Sequence, residues 1–368
     1  MRIKINVLSE IKLNFYNLLL SHWSILLENI NYFEDNGIKI TFFNNSDEDI
    51  YKCDILIISS RYFYNNNFSN KYIIDSLKKY KKKISNIIWF DLRDSAGTTQ
   101  FEVMPYVKTY VKGQIYRDFS NYRCNLYGGR MYSDYYHKKY SINDKEIYKM
   151  HPLSKDDEKK IKIGWNLGVI RYDYLNNINA LKKIFYKNIS FKKISKIQEV
   201  KFIKDIFKKK YRMFSVFNSN FPRASVEFQR KLAIKKLKKI KHRDDLFDIK
   251  LSKSDYTKKI NLSKYVLSCY GWGEVCYRDW EAVFNNSLII KPNMSNIDTW
   301  PNLYQEYKTY IPISWDLSDL QTQIEKLENN FYDINNIKNN AFDVYKSIRS
   351  NDYFVFRKKF LEIINLAN

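Results

Sequence analysis

The chain has 368 residues, 45% of them hydrophobic and 17% aromatic, and a formal net charge of +23. That length predicts two domains rather than one core, and the apolar content excludes a disordered chain. No apolar run approaches the roughly 20 residues that span a bilayer, and MRIKINVLSEIKLNFY, broken by charge every few positions, is unlike a signal peptide.

A soluble, cytoplasmic protein is therefore expected. The charge itself raises a nucleic-acid-binding protein as the alternative, which would show steep salt dependence. Lysines are spread along the whole chain, however, and the densest runs, KKYKKK (78–83) and KLAIKKLKKIKHR (231–243), place apolar residues at helical spacing. Solvated helix faces explain them. Such a surface suits a phosphorylated substrate or peripheral contact with an anionic membrane rather than a nucleic acid. Cys53, Cys124, Cys269 and Cys276 show no CxxC spacing, which predicts reduced thiols.

In chain order, short β-branched runs alternate with helical patterns. IKINVLS (3–9), IKITFFN (38–44), DILIISS (54–60) and NIIWFDL (86–92) form one set. MFSVFN (213–218), YVLSCY (265–270), SLIIKP (287–292) and YIPISW (310–315) form another. Two such sets predict an α/β protein of two doubly wound, Rossmann-like domains facing a cleft. The first is expected over 1–205, irregular from about 141, and the second over 206–345. A carboxy-terminal helix over 346–368 is expected to pack back toward the first domain. Asp47-Glu48-Asp49 matches a DxD metal motif in form, but it lies in the polar stretch NNSDED and reads as a solvated turn. HExxH and Cys/His clusters are absent from the sequence.

Two stretches carry candidate chemistry. In FDLRDSAGTTQ, which follows the fourth predicted strand, Asp91, Arg93, Asp94, Ser95 and Thr98 cluster at a strand end. A carboxylate there suits a general base, with Asp94 favoured over Asp91; alternatively Asp94 and Ser95 cap the next helix. In YVLSCYGWGEVCYRDWEAVFNNSLIIKP, a strand runs into Gly271-Trp272-Gly273, then a helix expected over 275–284, then a strand. Glycines at a strand-to-helix turn leave N–H groups for an anion. Arg278 and Glu281 share one helix face, where the arginine suits a phosphate and the glutamate a ribose diol. Between these stretches lies YRCNLYGGRMYSDYYHKKY, whose Arg130 and His137 are candidates to line a sugar groove among tyrosines that mostly read as packing.

The order G-x-G, R-x-x-E-A, L-I-I-x-P over about 211–316 resembles the donor site of GT-B glycosyltransferases, especially exostosin-like and related bacterial enzymes of surface-polysaccharide synthesis. The resemblance implies a nucleotide-sugar donor, a glycan or lipid-linked acceptor, no cofactor and no metal. It implies donor contacts from Arg223, Gly271, Gly273, Glu274, Tyr277, Arg278 and Glu281, with Glu281 on the ribose. On the acceptor side it implies Arg93, Ser95, Thr98, Arg130 and His137 and, if the enzyme inverts, an Asp94 or Asp91 base. The spacing departs from the commoner pattern, since EVCYRDW separates the second glycine from Glu281, so Glu274 either contacts the sugar or caps the helix.

Overall fold

The computed structural model describes residues 3–9, 22–170, 208–240 and 242–366. The first domain holds β1 (Ile3–Leu8), helices α1 (Ser24–Glu28) and α2 (Ile30–Asp35), β2 (Ile38–Phe43), β3 (Ile55–Ser59), α3 (Ser60–Asn65) and α4 (Asn70–Lys83). It continues through β4 (Asn86–Asp91), β5 (Thr109–Lys112), β6 (Gln114–Tyr116), α5 (Met131–Tyr140) and β7 (Ile161–Ile163). Six of these strands make a parallel sheet in the order β2-β1-β3-β4-β5-β7.

Strands covered on both faces must be apolar at nearly every position, which is why ILIIS and the IIWF of β4 read as continuous runs. Their side chains divide by parity. Leu56, Ile58, Ile87 and Trp89 enter one core cluster, while Ile55, Ile57, Ile88 and Phe90 enter the other.

The second domain holds β8 (Tyr211–Ser215), α6 (Ala224–Lys239), β9 (Leu246–Phe247), α7 (Lys253–Asn261), β10 (Ser263–Leu267), α8 (Tyr277–Phe284) and β11 (Leu288–Pro292). Then come β12 (Ile297–Thr299), β13 (Ile311–Ile313), α9 (Leu320–Glu328), α10 (Ile334–Ser347) and α11 (Ser350–Ile363). Its parallel sheet runs β13-β11-β10-β8-β9. Ala233 and Leu237 of α6 pack on one face, and Trp280, Val283 and Phe284 of α8 on the other.

All eight expected strands form, most of them shortened by a residue or two. Expectation missed β5, β6, β7, β9 and β12, which are only two to four residues long and so carry no periodicity to read. The antiparallel pair β6–β12 ties the domains together, with Ile115 opposite Asp298. The expected boundary near residue 205 lies outside the described residues. Helix α11 sets Phe356, Phe360 and Ile363 into the first domain's core with Ile5, Val7 and Phe33. Its Arg357 guanidinium stacks 3.6 Å from the Tyr32 ring centroid.

In the second sheet the chain leaves β8 toward β9 and returns to β10 on the opposite side of β8. This reversal opens a crevice between the carboxyl ends of β8 and β10, the place where open α/β sheets hold ligands.

Candidate functional site

Arg230 of α6 spans that crevice. Its Nε donates to the Tyr270 carbonyl at 3.0 Å, beyond β10, and its Nη1 to the Asn218 carbonyl at 2.7 Å, beyond β8. The side chain is buried and lies 4.4 Å from the centroid of Phe221. Arg278, in the first turn of α8, reaches the Cys269 carbonyl at 3.4 Å and sits over Phe217. Arg223, just before α6, donates to the Trp272 carbonyl at 2.7 Å and to the Tyr132 hydroxyl at 2.8 Å. All these acceptors are neutral; among the described residues none of the three guanidiniums has a carboxylate at ion-pair distance. Burial, and then the neighbouring Arg278 charge, hold the Arg230 pKa below its ordinary value. Positive charge gathered without a counter-ion at a ligand-binding crevice is poised for an anion.

Glu281 lies one turn beyond Arg278 and accepts from the Tyr256 hydroxyl at 3.0 Å. Burial raises its pKa against the opposing pull of Tyr256 and Arg278. The two glycines of the turn differ in what the fold demands of them. A Cβ on Gly273 would overlap the Asp94 carbonyl, so glycine is obligatory there. A Cβ on Gly271 would meet Arg230 Nη2 and Cys276 Sγ at an ordinary 3.6 Å, and packing leaves room for one. Tyr277 opens α8 and is exposed. The helix is capped from within: the Cys276 N–H donates to Asp279 at 2.9 Å.

Glu274 is neither a helix cap nor a residue facing the crevice. It is buried, and it accepts from Ser95 Oγ at 2.9 Å, from the Ala96 N–H at 3.1 Å and from Gln114 Nε2 at 3.2 Å, all in the first domain. Those bonds consume the carboxylate and remove Ser95 from any exposed acceptor surface.

Asp91 is likewise enclosed. Its carboxylate takes Arg93 Nε at 3.2 Å, Lys112 Nζ at 3.2 Å, the Arg93 N–H at 3.0 Å and the Tyr110 hydroxyl. Burial alone would raise its pKa, but Arg93, Lys112 and Tyr110 together hold it below the ordinary value. A carboxylate so occupied has no lone pair for an incoming proton, which excludes Asp91 as a base. Asp94 is different: its side chain is 51% exposed and held by Arg61 Nη2 at 3.3 Å. It caps no helix, since the turn runs on into loop.

Arg93 and Arg130 flank the Tyr148 ring, each 5.7 Å from its centroid. Thr98 stands nearby in the chain with its hydroxyl buried and unpartnered among the described residues. His137 is set apart from them, stacked 3.9 Å from Tyr127 with Nδ1 at the Ile142 carbonyl.

The turn after β4 thus touches the loop after β10, so the carboxyl edges of the two sheets face each other. Two doubly wound parallel sheets thus meet across a cleft, as expected from the two sets of strands. No family model and no curated protein matches the chain. Among solved structures, it is similar to Anabaena HepE in complex with UDP, at 9% identity over 99% of this chain and 100% of that one, with a TM-score of 0.44. It is also similar to a glycosyltransferase from Rickettsia africae, at 11% identity over 99% and 98%, with a TM-score of 0.41. An alpha-glucosyltransferase in complex with UDP-glucose and DNA containing an abasic site matches at 12% identity over 99% of each chain, with a TM-score of 0.38. At such values the likeness says nothing of what this chain binds, and the chemistry rests on its own residues.

Arg230, Arg61 and Tyr256 are the site residues that sequence reasoning missed. Arg230 stands seven positions after Arg223, two turns into the helix that Arg223 precedes, and that spacing was the available signal. Lys291, of LIIKP, is fully buried against Asp279 at 3.1 Å and belongs to the scaffold beneath α8. Asp47-Glu48-Asp49 is a surface turn, with Lys52 on Asp49. Among the described residues no group of three His, Cys, Asp or Glu side chains is arranged to hold a metal ion, and no helix is long and apolar enough to cross a membrane.

Proposed function

We propose that the chain is a glycosyltransferase that moves a sugar from a nucleotide-sugar donor to a hydroxyl of a glycan or lipid-linked acceptor. The observation that carries this reading is the switch point between β8 and β10, around which Arg223, Arg230 and Arg278 gather with no carboxylate paired to any of them among the described residues. A nucleoside diphosphate supplies the missing negative charge, and Gly271 lets it approach the Arg230 guanidinium. Glu281 receives the ribose hydroxyls, whose donated bonds favour its ionised form.

In the transfer, the acceptor oxygen forms a bond to the anomeric carbon while the bond from that carbon to the diphosphate oxygen breaks. The diphosphate leaves with the electron pair, and the arginines stabilise its growing charge. Where the transfer inverts the anomeric centre, Asp94, exposed on the first domain and next to Gly273, accepts the acceptor's proton. The basic surface of the chain is consistent with synthesis of a surface polysaccharide at the membrane face.

The test is a thermal-shift panel of UDP-, GDP-, CMP- and dTDP-sugars. A true donor at 100 times its Kd stabilises by about 2.7 kcal/mol. If none of the panel shifts the melting temperature, the donor assignment fails.

A further inference from the structure

Between α4, Arg93 just after β4, and the segment 148–152, the first domain carries an open cleft of about 700 Å³. Its walls include Lys71 and Lys78 of α4, Arg93, Tyr148, Lys149 and His151. We infer that this cleft is a second anion site, one that receives a phosphate or diphosphate group on the acceptor. The inference rests on the transferase reading for the identity of the ligand as acceptor. The anion site itself stands independently of it.

Three observations carry it. First, the lining is cationic beyond what its own acids offset. Glu102 and Asp75 are the acids of the wall, and Asp75 is paired with Lys78 at 3.5 Å. Lys71 and Lys149 are both exposed and have no ion pair among the described residues. Second, Arg93 presents unused capacity. Its Nε is spent on Asp91, and that carboxylate must also serve Lys112, while Arg93 Nη2 is buried with no hydrogen-bond partner among the described residues. A buried N–H donor left unmade is costly, and an oxyanion satisfies it.

Third, the wall is rigid before any ligand arrives. Tyr148 is clamped between Arg93 and Arg130, and its hydroxyl is bonded to both the N–H and the carbonyl of Thr99. Preorganised donors bind anions without an ordering cost at the moment of binding.

The position identifies the ligand as acceptor rather than a distant regulator. Arg93 and Asp94 are consecutive, so their Cα atoms lie about 3.8 Å apart. An anion held at Arg93 is a few bonds from a hydroxyl presented to Asp94. The donor diphosphate is held by the other domain, so two phosphate-bearing groups approach the reaction centre from opposite sheets.

The test is direct binding of inorganic pyrophosphate and of methyl phosphate, by calorimetry, to wild type, to Lys71→Glu/Lys149→Glu and to Arg230→Gln. Both lysines are exposed, so the double variant is expected to fold, which an unchanged melting temperature verifies. The expected result is a pyrophosphate site that survives Arg230→Gln and weakens at least about tenfold in the double lysine variant, as losing charge-assisted contacts requires. Binding lost in Arg230→Gln and retained in the lysine variant would overturn the inference while leaving the donor reading intact. So would the absence of saturable binding outside the crevice, or binding of a single-stranded oligonucleotide alone. Competition with a polyprenyl diphosphate in vesicles, set against a soluble phosphorylated oligosaccharide, then separates the two sources of the group. Displacement by either supports the site.

Discussion

Glu274 of the second domain accepts hydrogen bonds from Ser95 Oγ at 2.9 Å and from the Ala96 N–H at 3.1 Å in the first. The contact fastens the loop that follows β10 to the turn that follows β4, and Gly273 lies directly on the Asp94 carbonyl beside it. The donor-side loop and the candidate base are thus held in fixed relation by one carboxylate. Glu274→Ala leaves a buried hydroxyl and a buried N–H unpaired. A loss of about 1–3 kcal/mol in urea unfolding is expected, together with slower transfer. An unchanged denaturation midpoint would show that the contact is dispensable.

The two aspartates of FDLRD separate by their surroundings. Asp94→Asn is expected to melt like wild type, because its Arg61 contact is exposed and worth about 1 kcal/mol at most, and to lose transfer activity. Asp91→Asn removes a charge from between Arg93 and Lys112, and a destabilisation of about 3 kcal/mol is expected. Calorimetry and a transfer assay on the two variants together decide the assignment; an active Asp94→Asn enzyme refutes it as base.

Asp91 also sets an acid limb. Its folded pKa lies below the unfolded value of about 3.9, so its stabilisation is full above that value. It is lost as pH falls through the folded pKa. Wild type should therefore lose stability more steeply than Asp91→Asn below about pH 4. Parallel acid-denaturation curves would contradict this.

Glu281 has the opposite sign. Burial raises its pKa, so its ionised form costs stability at neutral pH, and the cost disappears as pH falls below the unfolded value. Glu281→Gln should raise the melting temperature of the unliganded protein more at pH 8 than at pH 5, and should weaken nucleotide binding. A stabilised variant with undiminished affinity would remove Glu281 from the ribose.

Much of this was legible in the sequence, for identifiable reasons. Strands buried on both faces must be nearly continuous apolar runs, so β3, β4 and β11 are visible. The helix expected from Val275 starts at Tyr277 instead, because Cys276 and Asp279 cap it there. Gly271, Arg278 and Glu281 are gathered by local spacing within one strand-turn-helix unit. What could not be read is the pairing between distant segments. Glu274 finds Ser95 179 positions away, and Ser225 takes Asp144 81 positions away, and no local pattern announces either. Asp91 and Asp94 look alike in FDLRD, since only the fold brings Lys112 and Tyr110 onto one of them. Arg230 was obscured by the lysine-rich half of its own helix, α6, which runs on from it to Lys239.

The two glycines give a paired test of that crevice. Gly273→Ala forces the Asp94 turn aside and should destabilise the protein. Gly271→Ala fits the unliganded fold and should melt normally while binding nucleotide more weakly. Equal effects of the two substitutions on stability would refute the distinction.

The central claim is that the Arg230 crevice holds the donor diphosphate, and nucleotide titration of Arg230→Leu tests it most directly. By calorimetry, with folding verified by an unchanged melting transition, a loss of at least about tenfold in affinity for the nucleoside diphosphate is predicted. Wild-type affinity in a folded Arg230→Leu protein would contradict the account.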